Sequence, residues 1–305
     1  MQRRRFMVGA GAVSASLLDP SRVFAADAAI PARKLERIAL SSSTYRGAYE
    51  GRFKVEGQTP ISHLTLGAYA KERFGLRKVE LWDAQFGPEG PSIENCRAIR
   101  AATDAAGVSI INVEVEDVPN LGQTDPVARA QALVALKAWQ DKGRILGCGS
   151  IRINVSRGTD PVDVAAAIES LKAGAAYGRQ VGVRVLVENH GGYTASIPNM
   201  IELVKAVNDD FCRIELDWGA WQPPGDRYEA MKSAMPYVHI VSAKGVLFDE
   251  ASYQHTSFDI ARLVRDAEST GFHGVYSIEL YGSPAPRDTD RAVRSFIRTI
   301  ADNMA

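Results

Sequence analysis

The 305-residue chain is poor in cysteine: Cys96, Cys148 and Cys212 are its only three, far apart and without a CxxC pair. That excludes a disulfide framework and a zinc knuckle and leaves buried, inert thiols as the reading. It also lacks net charge, with 36 basic and 36 acidic side chains and no block of one sign. Neither nucleic acid nor an anionic membrane surface is then the natural partner. No GxGxxG follows the first apolar segment, so there is no dinucleotide fingerprint, and no glycine loop is suited to phosphate. No linker or internal repeat divides the chain. What remains is an ordinary globular composition, 46% hydrophobic and 24% charged. A chain of this length buries about three-quarters of its unfolded surface and needs no staples.

Residues 1–28 read as an export signal. Arg3, Arg4 and Arg5 form a basic start, and Arg3-Arg4-Arg5-Phe6 fits the pattern of two arginines, any residue, then Phe. MVGAGAVSASLL follows, weakly apolar and too short to span a bilayer, so no stable membrane insertion is expected. Small residues around Ala25, Ala26 and Ala28 suit cleavage. The reading is twin-arginine export to the periplasm. Removal of residues 1–28 takes four arginines and two aspartates and leaves 32 basic and 34 acidic residues, net −2.

Residues 29–305 show one alternating rhythm. Short apolar segments predict strands at 37–43, 76–82, 108–115, 145–153, 183–189, 211–217, 237–244 and 274–280. Amphipathic stretches predict helices near 62–74, 93–106, 126–142, 160–181, 197–208, 227–235, 258–270 and 287–303. Asp160-Pro161, Ser196, Ser257 and Asp288 are placed to open helices; Gly107, Gly182 and Gly271 are placed to end them. Eight unbroken strand–helix units imply parallel strands and one α/β domain, a single closed (β/α)8 TIM barrel.

The strands alternate faces. Val185 and Val187 oppose Leu186, Glu188 and His190; Ile214 and Leu216 oppose Arg213, Glu215 and Asp217; Tyr276 and Ile278 oppose Ser277 and Glu279. The earlier strands do the same, with Glu80 and Trp82, Asn112, Glu114 and Glu116, and Ser150, Arg152 and Asn154 on the polar face. Arg184, Arg213 and Glu215 read as mutual structural pairs. A wholly structural ring of Glu80, Glu114, Arg152, Glu188, Asp217, Lys244 and Glu279 would be costly to desolvate. Sites of such barrels lie at the C-terminal strand ends, where this ring falls.

ENHGG at 188–192, LDWGAW at 216–221, VSAKG at 241–245 and SIELYGS at 277–283 resemble the sugar phosphate isomerase/epimerase family of xylose isomerase-like barrels, over roughly residues 36–300. The resemblance implies a divalent metal, Mn, Mg or similar, held by Glu, Asp, His and Glu from strands five to eight. The matching positions are Glu188, Asp217, Ser242 and Glu279. The third ligand departs: the chain reads Ser242-Ala243-Lys244 where the family has His-x-Lys or His-x-Asp. Ala220 stands where a further His usually follows the Asp, and His239 faces the helices by strand parity. His190, Glu114 or water would complete the shell. The alternative is a metal-free site in which Lys244 replaces the ion's charge.

Glu188 and Glu279 with a cation between them suit removal of a proton beside a carbonyl and stabilisation of the enediolate. Lys244 and His190 are the other candidate catalytic groups. Glu80, Trp82, Glu114, Arg152, Trp218 and Trp221 are candidates for holding a sugar, with Tyr281 a further aromatic near a strand end. The leading function is an isomerase or epimerase of a free sugar or sugar derivative. A lyase or hydratase acting on 3-keto glycosides by β-elimination is the second reading, and a non-catalytic sugar-binding protein with a decayed site the third. An endonuclease on abasic DNA shares the fold family, but the neutral charge disfavours it. The expected partner is a small-molecule sugar or glycoside; a homo-oligomer is left open. For the export reading, Arg3→Lys with Arg4→Lys should hold the precursor in the cytoplasm on fractionation. Normal export of the double variant would contradict it.

Overall fold

The computed structural model describes residues 29–51, 53–87, 90–221, 225–282 and 288–305. The export segment with Arg3, Arg4 and Arg5 lies outside these residues, as does Ser283 of the last motif. Eight parallel strands close into a barrel in chain order, β1 (Ile38–Ser41), β2 (Lys78–Trp82), β3 (Ser109–Val115), β4 (Ser150–Ile153), β5 (Arg184–Glu188), β6 (Cys212–Asp217), β7 (Val238–Gly245) and β8 (Val275–Leu280), with β8 paired back onto β1. A short α1 (Ala32–Leu35) precedes β1. Around the barrel lie α2 (Leu66–Phe74), α3 (Ile93–Ala106), α4 (Pro126–Leu146), α5 (Val164–Val181), α6 (Ile197–Val207), α7 (Arg227–Ala234), α8 (Ile260–Ser269) and α9 (Thr289–Asn303). None of the described helices is long and apolar enough to cross a membrane.

The TIM barrel expectation holds, and its differences are local. The fourth strand starts late because α4 runs to Leu146 and stops only at Gly147, left-handed at φ 79°. Asp160-Pro161 does not open α5. The Asp163 N–H is tied to the Gly122 carbonyl at 2.8 Å, so the helix begins after it, capped by the Asp163 carboxylate on the Ala166 N–H. Asp259 rather than Ser257 caps α8, while Ser196 and Asp288 cap α6 and α9 as expected. All three cysteines are buried and free.

Apolar strand residues such as Val79, Leu81, Val113, Ile151, Val185, Val187, Ile214, Leu216 and Ile278 are fully buried. On the opposite strand face, inside the barrel, is a polar plug. The Asn112 amide donates to Glu80 at 2.7 Å and Glu215 at 2.6 Å, Ser150 donates to Asn112 at 2.8 Å, and Ser277 donates to Glu80 at 2.5 Å. Burial and the neighbouring Glu80 push the Glu215 carboxyl well above its ordinary pKa, so shared protons and amides replace solvent here. This corrects two readings. Glu80 lies in the plug, wholly buried, not among mouth residues. Glu215 bonds Asn112, whereas Arg184 and Arg213 reach the Asp210 and Pro236 carbonyls.

The helices approach closely at small residues. A Cβ on Gly178 of α5 would lie 2.3 Å from the Val183 carbonyl oxygen, a backbone atom that cannot swing aside. Gly178→Ala should therefore cost about 1–3 kcal/mol in urea unfolding, the usual range for overpacking, despite its gain in helix propensity. An unchanged midpoint would show that α5 has room to shift.

Candidate active site

The strand ends deliver the charged side chains to one opening because each strand finishes its alternation on the inward face. They line a cavity of about 1150 Å3, whose walls include Trp82, Glu114, Arg152, His190, Asp217, Lys244, Glu279 and Tyr281. Glu188 lies immediately behind, 1% exposed.

Asp217 is the best anchored of these groups. Its Oδ1 accepts the N–H groups of Gly219 and Ala220 at 2.7 and 3.1 Å, and its Oδ2 meets the Lys244 ammonium at 3.1 Å. Burial opposes its ionisation, but Lys244 and His190 outweigh that and hold the carboxyl well below the usual range. Asn189 fixes the bend after β6: its side chain accepts the Asp217 N–H and donates to the Asp217 and Ala220 carbonyls.

Lys244 Nζ also lies 3.1 Å from Glu279 Oε1, while Glu279 Oε2 accepts from Ser242 at 3.0 Å. Burial alone would strip the ammonium of its proton; Asp217, Glu279 and Glu188 reverse that and hold its pKa well above normal. Burial leaves the Glu279 carboxyl with a raised pKa, even with Lys244 pulling the other way.

Arg152 performs the same office on the other side. Its guanidinium meets Glu116 at 2.6 Å, Glu188 at 3.2 Å and Glu114 at 3.3 Å, three carboxylates on one planar fork. Ser41 donates to the remaining Glu114 oxygen at 2.5 Å, and Asn154 to that of Glu116 at 2.9 Å. Glu116 is a site residue the sequence reading passed over, although its parity with Glu114 was visible.

His190 is half exposed at the rim. Its Nδ1 stands 3.4 Å from Glu188 Oε2 and 3.5 Å from Asp217 Oδ2. These two carboxylates, Glu188 first, raise its pKa to about 10. Glu188 Oε2 is buried without a well-aligned hydrogen bond. One donor atom each from Glu188, His190 and Asp217 falls within 4.8 Å of the others, a group that could hold a metal ion. Three ligands and open positions suit a catalytic ion, and the under-bonded Glu188 oxygen is the atom such an ion would satisfy. Glu279, expected as a third carboxylate ligand, is outside this group and faces Lys244 and Ser242.

The aromatic candidates divide. Trp82 lines the cavity, stacked on Phe53 at 5.1 Å and edge-on to Tyr281 at 6.3 Å. Trp218 is 1% exposed and packs on Tyr276 in the core, so it is corrected from sugar contact to structure; a large apolar ring on a strand end is drawn inward. Trp221 stands outside the cavity wall, near Arg227.

The sequence profile of the xylose isomerase-like TIM barrel family matches residues 68–300. No curated protein matches the chain. Solved structures share the fold at low identity. D-psicose 3-epimerase with D-tagatose from Clostridium cellulolyticum H10 has 13% identity and TM-score 0.64, covering 88% of this chain and 96% of its own. A xylose isomerase-like TIM barrel protein from Mycobacterium smegmatis in complex with magnesium has 14% identity and TM-score 0.67, covering 90% and 99%. The probable 3-DHS dehydratase AsbF from Bacillus anthracis has 13% identity and TM-score 0.59, covering 87% and 98%.

Removing the Arg152 fork should expose its cost. Arg152→Met leaves buried Glu114 and Glu188 without their cation, a change worth about 3–5 kcal/mol in chemical denaturation. Arg152 holds the Glu116 carboxyl at about 2, below its ordinary 4.5, against the upward push of burial. The stability from that pair is complete above pH 4.5 and is lost as pH falls toward 2, so the gap between wild type and variant should narrow over that window. A gap independent of pH would mean that Arg152 acts by packing alone.

Proposed function

Because the chain belongs to the xylose isomerase-like TIM barrel family, we propose that it is a sugar isomerase or epimerase, moving a proton at the carbon beside a carbonyl of a sugar or sugar derivative. The observation that carries this is the pairing of Glu279, in the cavity wall, with Glu188 behind His190 on the opposite strands, each beside a fixed cation. One carboxylate takes the proton. The other side, through the His190 imidazole that Glu188 and Asp217 hold, returns one to the opposite face or to the next carbon. Arg152 and Lys244 supply positive charge for the oxygen that becomes anionic. Glu188, His190 and Asp217 would hold a divalent ion such as Mn or Mg, which when bound supplies Lewis-acid polarisation of the substrate carbonyl.

The cavity's charge supports an uncharged substrate. Seven carboxylates (Glu50, Asp83, Glu114, Glu116, Asp117, Asp217 and Glu279) line it against three permanent cations, Arg152, Arg157 and Lys244. A phosphate or acid group on the sugar would meet that excess. Trp82 and Tyr281 offer apolar surface for a ring. At about 1150 Å3 the cavity exceeds the roughly 300–1,000 Å3 usual for small ligands. That favours, as a second reading, a glycoside whose leaving group is expelled by β-elimination from the same enediolate. Export of the mature chain to the periplasm, where sugar phosphates are scarce, accords with both.

Glu188→Gln and Glu279→Gln keep size and remove a base. Each should lower exchange of the substrate's α-hydrogen with heavy water by about a hundred- to ten-thousand-fold while sugar binding persists. Undiminished exchange in both variants would overturn the reading. A product one glycone shorter, in place of an epimer, would select the elimination.

A further inference from the structure

Lys244 lies where a family metal site would need a ligand, and several features keep it there. Its ammonium bridges Asp217 Oδ2 and Glu279 Oε1 at 3.1 Å each. Its stem crosses Gly219, where an added Cβ would lie 2.7 Å from Lys244 Cδ and 2.8 Å from Cγ, so only glycine leaves it room. The ring of Tyr281 is 5.2 Å from Nζ. Ser242, at the position the resemblance assigns to an imidazole, spends its hydroxyl on Glu279 instead.

We propose that Lys244 is the resident cation of this mouth: its ammonium takes the corner that relatives give to a fourth metal ligand and faces the substrate oxygen that becomes anionic, so that proton transfer does not depend on a tightly held divalent ion. This rests on the isomerase or epimerase reading. The physical ground is charge. An ion bonded to Asp217 Oδ2 at about 2.0–2.6 Å would lie within about 6 Å of an ammonium already 3.1 Å from that oxygen. The two cations repel, and Glu279 is withdrawn from the ion's reach. What Lys244 gives up as a fourth ligand it returns as a fixed charge in the cavity wall.

The test is a titration of the chelator-stripped full chain with Mn2+ by calorimetry, comparing wild type, Lys244→Met and Lys244→Arg. Lys244→Met should bind Mn2+ at least tenfold more tightly than wild type, because the competing charge is gone. Lys244→Arg should stay within a few-fold of wild type. Should Lys244→Met fail to fold by circular dichroism, Lys244→Gln takes its place. Stripped wild type should also retain α-hydrogen exchange with heavy water. Equal Mn2+ affinity in wild type and Lys244→Met overturns the proposal, as does exchange that vanishes on stripping and returns with Mn2+. If no sugar exchanges in any form, the isomerase reading fails, and the titration by itself decides the role of the charge.

Discussion

Carboxylates can remain ionised in a water-poor barrel mouth only when cations stand between them. Here two side chains carry that burden. Arg152 spans Glu114, Glu116 and Glu188, and Lys244 spans Asp217 and Glu279. His190 joins the two clusters by standing between Glu188 and Asp217. The mouth is thus two ion clusters sharing one imidazole, and each acidic group takes its character from its place. Asp217, ringed by backbone N–H groups and Lys244, stays an anion; Glu114, pressed by burial and by Glu80 and Glu279, is driven toward its protonated form. Groups whose environments push them apart in this way are the raw material of acid–base chemistry.

The barrel supplies the stiffness that holds these clusters. Beneath the mouth the Asn112 amide ties Glu80 to Glu215 across the interior, linking β2, β3 and β6. Such a plug is a poor source of net stability, yet breaking one partner is costly, so it favours a single arrangement of the strands. The clusters above inherit that arrangement through one- or two-residue steps along each strand: Asn112 to Glu114, Glu215 to Asp217, Ser277 to Glu279.

Much of this was legible in the residues. The eight-fold rhythm, the glycine ends of α3 and α5 and the parity of Glu188, Asp217 and Glu279 follow from local periodicity, which one chain displays by itself. Depth along a strand does not. Glu80 shares a face with mouth residues but sits a layer lower, and its burial depends on which neighbours surround it. Trp218 next to Asp217 reads as a sugar platform until the bend at Gly219 is known to turn it to the core. Position Ser242 drew notice as a missing histidine, while the counterpart of that loss, a lysine lying over Gly219, is a contact between two strands and becomes visible only in three dimensions.

The central claim is that this mouth was built around an ammonium where its relatives have a ligand. A high-resolution crystal structure of the mature chain soaked with Mn2+ and a free ketose tests it most directly. The account predicts Lys244 Nζ within hydrogen-bond distance of Asp217, Glu279 and a substrate oxygen. Lys244 swung away, with an ion bonded to Glu279 and Asp217 in its place, would contradict it.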